Sequence, residues 1–204
     1  MKYFTQTLSA AAVACALSAV APAQAAEFSF SGDIAFHNDV VRISFTLLTD
    51  ATNVRVWTDS YGASSPYGVN FDPITAVWDM SAGGKLLDTN DDDGTIEPGQ
   101  NDFDSGLVFD ELKAGNYLFT IATYPNWNKG EWLSDGFTYD GAAPIALADW
   151  DQPSSHFGMG THWRVHLTGV DAATAPVPEP GSYALMLAGL AAVALRARRS
   201  SAVR

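Results

Sequence analysis

Residues 40–48 read VVRISFTLL, and in them Val41, Ile43, Phe45 and Leu47 recur at every second position. Successive side chains of an extended chain point to opposite faces, so these four form an apolar stripe, with Arg42, Ser44 and Thr46 behind it. An amphipathic helix needs apolar residues three and four apart instead, and no central segment offers a comparable pattern. The two-residue period continues outward in EFSFSG at 27–32 and in NVRVW at 53–57. Further strands are expected at 74–80, 106–112, 116–124, 136–139 and 161–170. Between them lie turn-rich segments: YGASSPYG, DTNDDDGTIEPGQNDFDSG, PNWNKGEW and DWDQPSSHFGMG. Short strands punctuated in this way predict an all-β fold, an antiparallel β-sandwich or jelly-roll-like single domain over residues 26–172.

The two ends of the chain carry a different pattern. Lys2, the apolar run Leu8–Val20 and the small-residue step Ala23-Gln24-Ala25 predict a secretory signal peptide over 1–25. The sole cysteine, Cys15, leaves with it, so the exported domain is expected to have no disulfide. At the other end, residues 173–182 read as a linker and 183–195 as an apolar stretch of 13 residues. As a helix that stretch would be about 20 Å long, short for a hydrocarbon core of about 30 Å. Arg196, Arg198 and Arg199 lie in the basic tail 196–204 and would hold it on the cytoplasmic side of the inner membrane.

The order Val177-Pro178-Glu179-Pro180-Gly181, apolar helix, arginines resembles the PEP-CTERM sorting signal of Gram-negative exported proteins. The resemblance implies an exosortase partner that recognises Pro178, Glu179 and Pro180 and removes the helix after transient inner-membrane insertion. Signal peptidase is the partner at the other end. The destination implied is the cell envelope or an extracellular polysaccharide or biofilm matrix.

Without signal and tail the body holds 22 acidic against 6 basic residues, near −16. Such a surface repels nucleic acid and favours divalent cations. The densest acidity is in 88–106, long for a loop without structure of its own. Asp88, Asn90 and Asp92 alternate, Asp91 and Asp93 fill the gaps, and Gly94 follows where a sharp turn is expected. Hard oxygen ligands so spaced suit calcium, with Asp93, Asp102 and Asp104 as further candidate ligands. The competing reading is a solvated acidic turn. The stretch VWDMSAGGKLLDTNDDDG, followed by Asp104-Ser105 and by Leu112, Gly115 and Tyr117, is similar to bacterial pre-peptidase C-terminal domains. That resemblance implies a jelly-roll-like sandwich, a secreted adhesive or matrix module, in some cases with calcium.

Catalytic patterns are weak. His162 and His166 have a zinc-helix spacing, but THWRVHLTG alternates as a strand, in which four residues cover about 13 Å and the rings share a face without sharing an ion. No Gly-x-Ser-x-Gly elbow occurs. The expectation is a non-enzymatic protein, with a secreted hydrolase directed at glycosides or peptides as the alternative. Trp127, Trp132 and Trp150 fall in polar turns, where indoles grip sugar rings or cap the ends of a sandwich. Trp57, Trp78 and Trp163 fall within strands and are expected to pack.

Overall fold

A computed structural model of the chain describes residues 26–61, 71–150 and 160–175. In chain order the strands are β1 (Phe28–Asp33), β2 (Val40–Leu47), β3 (Ala51–Thr58), β4 (Pro73–Asp79), β5 (Lys85–Asn90), β6 (Gly106–Leu112), β7 (Gly115–Thr123), β8 (His162–Thr168) and β9 (Ala172–Thr174). They form two antiparallel sheets, β1-β8-β3-β6 and β5-β4-β7-β2-β9. The fold is the expected all-β sandwich. Helix among the described residues is limited to two single 3-10 turns, Leu133–Asp135 and Leu147–Asp149.

The stripe at 41–47 explains how the sheets meet. β2 pairs along its whole length with β7, from Val40 opposite Ala122 to Leu47 opposite Gly115. Its apolar face joins Val54 and Val56 of β3 and Trp163, Val165 and Leu167 of β8 in one core. Burying one such side chain is worth about 1.5–3 kcal/mol, so a one-residue slip that turned the stripe outward would forfeit several times that amount. Trp57 and Trp78 are also buried, as expected of strand tryptophans.

β4 and β7 are buried on both faces, and the reason lies in the chain after Thr123. Phe137, with Leu133 beside it, packs on Ala76, Trp78, Leu118 and Ala122 and so covers the outer face of the five-stranded sheet. A strand covered on both sides loses its alternation and reads as a continuous apolar run. The strand expected at 136–139 does not form. Phe137 makes only an isolated bridge to Asn128, and Gly136 turns the backbone with φ 77°. β5 and β9 were not foreseen. β5 is an edge strand with no clean alternation, and β9 pairs with β2 through only three residues, Ala172 to Thr174.

The expected signal peptide, the Pro-Glu-Pro element and the apolar tail segment lie outside the described residues. Among the described residues no helix is long and apolar enough to cross a membrane.

Candidate metal centre

β4 and β5 form an antiparallel pair in which Thr75 stands opposite Asn90. That register brings the residue before β4 to the same end as the residues after β5. Asp72, immediately before Pro73, therefore meets Asp91 and Asp92, and carboxylate oxygens of the three lie within 4.8 Å of one another. Two oxygens on opposite sides of a calcium ion, each at about 2.3–2.6 Å, stand about 5 Å apart, so one ion can be shared by all three.

Two members of the cluster are withdrawn from solvent, while Asp92 is exposed. Asp72 is only 3% exposed, and its Oδ1 and that of Asp91 are buried without a hydrogen-bond partner. Its backbone carbonyl is taken by the Tyr124 amide at 2.8 Å, which fixes the residue in place. Burial, and then the charges of Asp91, Asp92 and Asp104, push the Asp72 carboxyl up to about 7. Burial and Asp92 raise Asp91 to about 7 as well. Two carboxylates that have lost water and face like charge gain from a cation in a way that surface aspartates do not.

Of the six ligands expected from sequence, Asp92 enters this cluster and the others are placed differently. Asp104 is buried, but its oxygens are filled: Oδ1 accepts from Ser60 N (2.6 Å), Tyr61 N (3.0 Å) and Thr58 Oγ1 (3.1 Å), and Oδ2 accepts from Asn101 N (2.8 Å). It is a structural knot between the end of β3 and the start of β6. Asp88 and Asp102 are exposed, and Asp88 accepts from Thr89 N at 2.8 Å. Asp93 accepts from the amide and hydroxyl of Thr95, and Asn90 spans to the Gly106 carbonyl through Nδ2 at 2.9 Å. Gly94 is needed for closeness, because a Cβ there would come 2.3 Å from the Asn101 carbonyl oxygen.

A buried hydroxyl chain ties the site to both sheets. Ser105 Oγ donates to the Asn90 carbonyl at 3.0 Å, which leaves Thr75 Oγ1 as donor in their 2.7 Å contact. Asp72 was missed because it lies far upstream, in the sequence NFDPI. Reading KLLDTN as a strand paired with PITAVWD would have found it.

The three tryptophans of the polar turns, read as sugar-gripping or as caps on the sandwich, occupy unlike surroundings. Trp132 is exposed, with Gly83 beside its ring, Trp127 is half-buried, and Trp150 stacks on His37 with ring centres 4.2 Å apart. His162 and His166 do share the outer face of β8. His166 lies between Glu27 (3.0 Å) and Asp59 (3.2 Å) and stacks on Trp57. Burial works against its charge, but the hydrogen bonds and charges of Asp59 and Glu27 outweigh burial and raise its pKa above the ordinary value.

Comparison with known families adds the chain's address. Residues 176–200 match the model of the PEP-CTERM protein-sorting motif, the stretch that holds Pro178, Glu179 and Pro180. The motif implies an exported protein that transits the membrane and is processed by an exosortase. No curated protein matches the chain.

Proposed function

We propose that this chain is a non-enzymatic envelope or matrix module, sorted by an exosortase and stabilised by a calcium ion held by Asp72, Asp91 and Asp92. The observation that carries the metal reading is the pair of buried, unpartnered carboxylate oxygens on Asp72 and Asp91. An all-oxygen donor set of three carboxylates is hard, anionic chemistry, suited to calcium rather than to a soft transition metal. The sorting motif supports delivery beyond the inner membrane, and an exopolysaccharide is the partner this reading supplies there. The likeness of the central region to pre-peptidase C-terminal modules belongs to the same reading. Titration calorimetry of the purified chain with Ca²⁺ and with Mg²⁺ tests the metal. Saturable calcium binding that Asp72→Asn and Asp91→Asn each abolish is expected, and equal weak heats from both ions would overturn it. For sorting, Glu179→Ala is expected to leave uncleaved protein in the inner membrane fraction. Unchanged release would remove the role of the Pro-Glu-Pro element.

A further inference from the structure

A second site lies away from the acidic hairpin. Where the end of β1 passes the start of β2, the sheets part around a cleft of about 420 Å³, a size typical of small-ligand sites. Its apolar wall is Ile34, Val40, Val41 and the indole of Trp163. Gly32, paired with Trp163 across β1 and β8, makes room for that indole, since a Cβ there would come within 2.8 Å of the ring. The wall is held in place: Asp39 Oδ2 accepts from the amides of Ala35 (3.2 Å) and Phe36 (2.9 Å), and Asp140 Oδ2 accepts from Phe137 N at 2.8 Å.

Two lining residues carry buried polar atoms without a partner, the Trp163 Nε1 donor and the Asn38 Oδ1 acceptor. Asn38 is anchored through its other atom, Nδ2, on the Ala142 carbonyl at 3.1 Å. An unmet buried donor or acceptor costs about 1–3 kcal/mol, and a ligand hydroxyl both donates and accepts. An indole-bearing apolar wall beside polar groups suits the CH face and hydroxyl edge of a sugar ring. Charge narrows the class further. Asp33, Asp39 and Asp140 line the cleft against the single cation Arg42, so an anionic sugar is disfavoured and an ammonium is welcome.

We infer that the cleft between Asn38 and Trp163 binds a saccharide without negative charge, with amino sugars preferred over neutral ones. This deepens the matrix-binding reading and is independent of the calcium site. The test is titration of the purified chain with glucosamine, glucose and glucuronate oligomers of matched length, by calorimetry and by the Trp163 Nε1–H resonance. Binding in the order glucosamine, glucose, glucuronate is expected, with a shift of that resonance. Trp163→Phe, which keeps an aromatic ring and removes the N–H, and Asn38→Ala, at a more exposed position, should each weaken binding about tenfold. Saturable sugar binding that both variants retain would overturn the cleft while leaving the matrix reading intact. Absence of binding to all three oligomers would also overturn it, and retained capture on the host's polysaccharide would then show that the matrix reading survives.

Discussion

Asp72 and Asp104 are both buried, both stand beside a strand start at one end of the sandwich, and both have raised carboxyl pKa values through burial. They differ in what fills their oxygens. Four donors from the chain close around Asp104, three of them backbone amides, and their hydrogen bonds work against its raised pKa. Asp72 has an unpartnered Oδ1 and faces two more carboxylates. A buried charge whose lone pairs are used by the protein is part of the fold. One whose lone pairs converge on another's is a candidate binding site.

The comparison breaks most visibly if Asp104 is removed. Asp104→Ala strands the amides of Ser60, Tyr61 and Asn101 and should cost about 3–5 kcal/mol in urea denaturation, with calcium present or not. Loss of less than about 1 kcal/mol would overturn the structural role of Asp104.

Calcium should show the opposite half. At about 100-fold excess over Kd a ligand of the folded state adds about 2.7 kcal/mol, several degrees in Tm for a chain of this size. Asp72→Asn with Asp91→Asn should erase that gain and still fold. Coincident melting curves in calcium, magnesium and chelator at matched ionic strength would remove the distinction between the two aspartates.

The pH dependence sharpens it. Asp72 and Asp91 are raised from 3.8 to about 7 in the fold, so the folded state holds their protons more tightly than the unfolded chain does. Their contribution is therefore fully present below about pH 4 and is lost as pH rises to about 7. In chelator, Tm should fall across that window, and the calcium gain should grow across the same window. In chelator above pH 7, Asp72→Asn should raise Tm by removing the repulsion, the reverse in sign of Asp104→Ala. A flat metal-free profile would contradict this.

The smallest effect is expected at the aspartates that sequence spacing favoured. Asp88→Asn with Asp102→Asn should leave the calcium shift unchanged within about 0.5 kcal/mol, because neither carboxylate joins the cluster of Asp72, Asp91 and Asp92.

Strands with one wet face and strands with none were both legible: β4 and β7, covered on both faces, were expected at 74–80 and 116–124 and form one residue earlier. β2 keeps its alternation because its outer face carries Arg42 and Ser44, and β6 matches the expected 106–112 residue for residue. β5 was illegible because KLLDTN is an edge strand running into the acidic loop, and 136–139 misled because Phe137 buries itself on a sheet without joining it. The candidate metal centre was half legible for the same reason. The acidic loop announced itself by density, but Asp72 enters only through the β4–β5 register, which periodicity does not encode.

β9 places the sandwich on a short leash. Thr174 is its last residue, held opposite Ser44, and the adjoining turn is fastened by Asp171, whose carboxylate accepts from Leu48 N at 2.7 Å. Pro178 follows four residues later, inside the matched sorting motif. Whatever path they take, four residues reach at most about 14 Å, close to the radius of gyration of a body of this size. An enzyme that handles Pro178 to Pro180 while β9 stays paired must therefore come within about that distance of the end of β9. Peeling β9 from β2 would add only about 10 Å of slack. The clearance between the sandwich and whatever reads the sorting motif is thus set at its near end by an edge strand of three residues.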